Sequence, residues 1–208
     1  FKSTITEFLN NFKSVEIFRA VASLSLHTGF YKAVRDYLQP VLKALAVSLP
    51  FFVSVQGEKR SALIIGIIYS LIFFLTSTAS KNSGKISEKF GSIQKSLNIT
   101  FVAGLVFGIL SGILYESGLL LLSVSFYTAV YLNENLRKPI GIAYFGEKIN
   151  TKVLASSLSA ESQANTLAAA IIALIIGFFA DAIGIGWALI IVSSVLLILS
   201  PLFRLKQN

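Results

Sequence analysis

The chain has 208 residues, of which 54% are hydrophobic and only 13% charged, and its mean hydropathy is +0.75. Soluble globular domains carry about 25% charged residues, so this composition excludes a water-facing fold. The formal net charge is +8, but the basic residues sit in short clusters between long apolar runs, the topology signal of a membrane protein and not a nucleic-acid footprint. With no Cys and one His, a disulfide framework and a thiolate or His-rich metal site are excluded, and no cofactor is implied. Met is also absent and the first residue is Phe1, so preceding sequence is expected. Lys2, Glu7 and Lys13 interrupt the opening apolar residues, and no signal peptide is expected there.

Crossing a hydrocarbon core of about 30 Å takes about 20 apolar residues, and six spans are expected. The first is a helix from Val15 to about Leu49. At about 52 Å of rise it is too long for one straight crossing, and Pro40 is expected to bend or end it. Inside it, Gly29 to Pro40 reads GFYKAVRDYLQP. On a helical projection His27, Thr28, Tyr31, Lys32, Arg35, Asp36 and Gln39 share one half-circle. They form two i,i+4 ladders, His27–Tyr31–Arg35–Gln39 and Lys32–Asp36. A charge at bilayer depth costs roughly 2.5–3.5 kcal/mol. The stripe must therefore face an aqueous cavity, reach the outer headgroups or lie on the membrane surface, and the cavity is the preferred reading. Lys32 and Asp36 can offset each other one turn apart, while Arg35 offers a planar fork suited to carboxylate or phosphate.

The second span, Ala62–Ala79, leads into GKISEKFG at Gly84–Gly91. The third, Leu97–Tyr115, carries Gly104, Gly108 and Gly112 at four-residue spacing, a close helix-packing face. The fourth, Leu119–Leu132, contains SFYTAV, whose Tyr127 and Tyr131 either face the same cavity or pack as aromatic filler. The less apolar stretch Arg137–Gln163 is expected to hold an interfacial helical turn. Glu161, Gln163 and Asn165 at its end are expected to cap the next helix in preference to gating it. Thr166–Ala180 and Ile185–Phe203 complete the set. The connections near Glu116 and Asp181 are very short and make their flanking helices antiparallel neighbours. With both ends placed inside, 13 of the 18 Lys and Arg residues, Arg137 and Lys138 among them, fall on the inner side, so both termini are expected to be cytoplasmic.

Two internal matches stand out. GFYKAV at Gly29–Val34 recurs as SFYTAV at Ser125–Val130, and GKISEKFG at Gly84–Gly91 recurs as GFFADAIG at Gly177–Gly184. The offsets are 96 and 93 residues, three spans each time, so the second copy is inverted relative to the first. Inverted three-plus-three repeats mark secondary transporters. GKISEKFG, lying after the second span on the basic side, resembles the loop signature of the major facilitator superfamily, with Glu88 and Lys89 standing for its Asp and Arg. GFFADAIG resembles the related segment at the family's last outer loop. KVLASSLSAESQ at Lys152–Gln163 is similar to the stretch opening the penultimate helix, although Leu154 stands where Arg is usual.

The resemblance implies an all-α polytopic protein of six transmembrane helices. Residues 1–208 would form the second half of a twelve-helix transporter whose first half is absent. It implies alternating access in the plasma (inner) membrane, with a proton or ion gradient driving a small solute, either a drug-like compound in efflux or an organic anion. On this reading Tyr31, Lys32, Arg35, Gln39, Tyr127 and Tyr131 bind substrate and Asp36 carries the coupling. Gly84, Glu88, Lys89, Gly91 and Asp181 belong to conformational loops, Glu88 capping a neighbouring helix and Lys89 pairing with an acid. The expected partners are the lipid bilayer, the missing half, the solute and its coupling ion. The competing reading is a six-helix subunit of an oligomeric channel or scaffold. A membrane-embedded enzyme is disfavoured, since no paired catalytic signature is present.

Overall fold

The computed structural model describes residues 14–52 and 57–206; Lys2, Glu7 and Lys13 lie outside the described residues. Its elements are helices α1 (Val15–Arg35), α2 (Leu38–Ser48), α3 (Gly57–Lys81), α4 (Ser83–Phe90), α5 (Ile93–Glu116), α6 (Leu120–Lys148), α7 (Thr151–Ile183) and α8 (Ile185–Leu199), with a 3-10 turn over Ser200–Phe203. Four are long and apolar enough to cross a membrane: α3, α5, α7, and α8 with its 3-10 extension. The chain is an all-helical membrane protein. Helices α1 and α6 fall outside that group because each carries several ionisable side chains. Of the four apolar helices, α3 and α7 bury the least of their length. Helix α7 packs along α1, while α5 and α3 pack along α6. Lipid tails reward apolar surface and penalise charge, so α1 and α6 are covered by neighbours while α3 and α7 turn large apolar side chains outward.

The opening helix breaks, but not at its proline. Helix α1 ends at Arg35, Asp36 and Tyr37 form a turn, and Pro40 sits in the first turn of α2. The reason is geometric: proline's ring collides with the carbonyl four residues back, which here belongs to Asp36. The fourth expected span is also longer than Leu119–Leu132, because α6 continues through Pro139 to Lys148. The stretch Arg137–Gln163 holds no separate helical turn. It is the end of α6, a break at Ile149–Asn150, and the beginning of α7. Asn150 caps α7 by accepting from the Lys152 N–H at 3.1 Å. Glu161, Gln163 and Asn165 therefore stand inside a helix and cap nothing.

The glycine face of α5 packs as expected. A Cβ on Gly104 would collide with His27 and Asn133, on Gly108 with Ser193, and on Gly112 with the Gly186 carbonyl. Side chains of α1 and α6 and the backbone of α8 thus press directly on the α5 glycines. Of the two glycine-bounded segments, Gly84–Gly91 lies beside the start of α5, joined by Ser87–Ser96 side-chain hydrogen bonding at 3.1 Å. The end of Gly177–Gly184 meets Glu116, at the far end of α5. They occupy opposite ends of the bundle. Helices α3 and α7 expose rows of large apolar residues, with Phe73, Phe74, Leu174 and Phe178 between 62% and 76% exposed.

Candidate functional site

The break after Arg35 creates the first feature. A helix end leaves carbonyls without intrahelical partners, and two tyrosines one turn apart on α6 supply donors. The Tyr127 hydroxyl donates to the Val34 carbonyl, and the Tyr131 hydroxyl donates to the Arg35 carbonyl at 3.2 Å. Tyr127 is wholly buried in doing so. Its expected place in a substrate cavity is corrected: it braces the kink from within the core. Tyr131, almost as buried, does both jobs: it also borders an open cavity and meets the Tyr31 ring edge-on at 5.0 Å.

That cavity, of about 420 Å³, is lined by Tyr31, Arg35, Asp36, Gln39, Tyr69, Phe73 and Tyr131. Five of these were expected from the sequence. Tyr69 and Phe73 were not, since α3 reads as a plain apolar span. Tyr69 stands halfway along α3, so Arg35 and Asp36 lie beside the middle of that helix. Their side chains are 54% and 80% exposed, with Arg35 Nε 3.6 Å from Asp36 Oδ1.

Lys32 leaves this group. The Lys32–Asp36 ladder is not formed, because α1 ends between them and Lys32 turns toward α7. Its Nζ donates to Asn165 Oδ1 at 2.7 Å and to Thr166 Oγ1 at 3.4 Å. Together with Thr28, Lys138, Glu161 and Ser162 it lines a second, narrower cleft of about 230 Å³ between α1, α6 and α7. The expected polar stripe thus splits in three: Tyr31, Arg35 and Gln39 to the open cavity, Lys32 to the cleft, His27 to the interior.

The interior cluster is the second feature, and sequence reading missed most of it. His27 Nδ1 lies 2.8 Å from Glu134 Oε2, and Thr28 Oγ1 donates to Glu134 Oε1 at 2.7 Å. Asn133 Nδ2 donates to the Thr100 carbonyl at 2.8 Å and reaches His27 Nε2 at 3.0 Å. An amide nitrogen only donates, so His27 Nε2 accepts, the imidazole is neutral, and its Nδ1–H points at the carboxylate. Arg137 supplies the compensating charge one turn on. It donates to the Leu97 carbonyl, to Thr100 Oγ1 at 3.0 Å and to Ser23 Oγ at 2.8 Å. Its guanidinium also lies over the Phe101 ring, 5.4 Å from the centroid. Arg137, placed by the sequence among the topology-setting bases, is 1% exposed. The signal was available: Glu134 and Arg137 extend the Tyr127–Tyr131 face at helical spacing, which ties them to the interior and not to a loop.

The loop residues make less contact than expected. Gly91, at φ 90°, ends α4 in the left-handed conformation and donates its N–H to the Glu88 carbonyl at 3.0 Å. Glycine has no Cβ to oppose that geometry. Gly84 has open space around it. Glu88 and Lys89 are exposed, and among the described residues neither makes an ion pair. The expected cap and acid pairing are absent from this conformation. Asp181 is exposed at the other end of the bundle. No protein-family model, curated protein or solved structure matches the chain.

Proposed function

We propose that the chain is a six-helix transport unit of the major facilitator type, built as an inverted three-plus-three repeat, which binds a small solute in the cavity beside the α1–α2 kink. One observation carries this reading: a cavity beside the middle of α3 with an exposed Arg35–Asp36 pair, bordered by outward-facing apolar helices. Such a pair is costly against lipid, so it needs water, a solute or a second half-transporter in front of it. The packing supports the repeat. The first unit's α3 packs on α6 of the second, and the second unit's α7 packs on α1 of the first, a reciprocal exchange expected of two inverted copies. Arg35 and Gln39 supply directed donors, Asp36 an acceptor or proton carrier, and Tyr31, Tyr69 and Tyr131 a stacking wall. A second half facing α3 and α7 would complete an alternating-access path, with both termini of this chain on the basic, cytoplasmic side.

The chain itself has no Cys, so each introduced cysteine is its only thiol. Gln39→Cys and Phe74→Cys are compared in membrane vesicles containing the chain, using a membrane-impermeant maleimide applied from either side. The expected result is labelling at Gln39→Cys that changes with a gradient or candidate solute, while Phe74→Cys stays unlabelled. Equal failure of Gln39→Cys and Phe74→Cys to label would overturn the aqueous cavity. Labelling from both sides at once, with copies cross-linking through α3, would favour the oligomeric channel instead.

A further inference from the structure

A larger groove shares no residue with the cavity or the cleft. It is about 660 Å³ and runs between α5 and the end of α8. Ile99, Val102, Val106 and Phe107 of α5 form its floor, and Pro201 and Phe203 of the 3-10 turn form its wall. At its mouth are two exposed cations, Lys95 in the first turn of α5 and Arg204 just past the 3-10 turn. No acidic side chain lines it among the described residues.

The mouth is held in place. Asn98 donates through Nδ2 to the Leu205 carbonyl at 2.8 Å and accepts the Leu205 N–H at 2.9 Å. This paired bond pins the chain beside Arg204 against α5. The start of a helix adds further positive potential beneath Lys95, and the Ser92 side chain already caps it by accepting the Lys95 N–H at 3.1 Å.

We propose that this groove binds one anionic phospholipid, with its phosphate between Lys95 and Arg204 and an acyl chain along α5. Charge selects the headgroup. Arginine and lysine together give a fork and a point charge for phosphate oxygens, and basic sites at helix ends bind such headgroups. Length selects the tail. Lys95 to Phe107 rises about 18 Å along the helix, while one leaflet of a roughly 30 Å core is about 15 Å deep. A zwitterionic lipid would fill the groove equally well but bring an ammonium toward two cations. A soluble phosphate ester would satisfy the mouth and leave the groove empty.

The test uses the purified full chain in mild detergent, titrated with phosphatidylglycerol or phosphatidylcholine of matched acyl chains and read by native mass spectrometry. Phosphatidylglycerol is expected to be retained at least tenfold more strongly. The double change Lys95→Gln with Arg204→Gln should remove that preference while leaving some binding of both lipids. Ala103→Phe, which fills the groove, should lower both. Lys85→Gln with Lys89→Gln removes the same charge from the same end but outside the groove, and should change nothing. Equal loss in the two double variants would overturn the site, since net charge alone would then explain it. Tight retention of glycerol phosphate without acyl chains would overturn the tail contact. A lipid-insensitive dimer broken by Ala103→Phe would assign the groove to a second copy and overturn the proposal.

Discussion

The chain carries charge within its helical bundle in two places and treats the two in opposite ways. Around Glu134 and Arg137, potential hydrogen bonds are nearly all made within the protein, and the His27 and Glu134 side chains are 0% and 4% exposed. Around Arg35 and Asp36 the protein offers little beyond the neighbouring charge. A sealed pair costs desolvation and must recover it through geometry, whereas an open pair keeps its partners exchangeable. The comparison teaches which charges serve the fold and which are left free for a ligand.

The strongest way to break the comparison is to orphan the sealed pair. Glu134→Ala leaves Arg137 buried and uncompensated, and should cost about 3–5 kcal/mol, read as lost monodisperse protein after graded heating. Glu134→Leu combined with Arg137→Met should cost less than either single change, because no charge is stranded. If the single and double variants melt alike, the two residues do not compensate each other. A smaller loss is expected from Gly104→Ala, since the new Cβ would collide with His27 and Asn133. Overpacking of this kind costs typically 1–3 kcal/mol, and the same assay measures it.

Tyr127→Phe removes one buried hydroxyl and leaves the Val34 carbonyl to the backbone N–H groups of Asp36 and Tyr37. A loss of about 1 kcal/mol is expected, with Tyr131→Phe costing less because Tyr131 is bound at the cavity edge. The smallest stability effect belongs to the open pair. Asp36→Asn and Arg35→Lys should each stay within about 0.5 kcal/mol of the parent. Both should nonetheless alter solute uptake in proteoliposomes. Asp36→Asn should abolish its dependence on the gradient, and Arg35→Lys should weaken an anionic solute. A large melting shift in either variant would mean that this pair, too, is structural.

The helices were legible because their signals are local. Apolar length marked α3, α5, α7 and α8, and four-residue spacing marked the α5 glycines as a contact face. What sequence left open was which way each polar residue turns when helices meet. Lys32 and Asp36 are four apart and looked paired, but the proline's effect fell one turn upstream and Asn165 lay across the gap. Asn165 itself read as a cap, because α7 seemed to start where its apolar run starts, and helix ends are set by capping groups such as Asn150. Arg137 read as a topology charge since it follows an apolar run, and only the packing of α1 and α5 around it reveals its burial. Tyr69 carries no sequence mark at all. It joins the cavity because α3 happens to lie beside the kink.

The buried Arg137 also bears on how the chain is made. Every hydrogen-bond partner of Glu134 and Arg137 outside α6 — Ser23, His27, Thr28, Leu97 and Thr100 — precedes them in the sequence. Chains are synthesised from the N-terminus, so when α6 emerges from the ribosome its entire receptor is already there. A helix too polar to enter a bilayer alone can then insert into a waiting protein seam, neutralised as it arrives. Moving α6 ahead of α1 by circular permutation would keep the folded contacts and remove that order of birth.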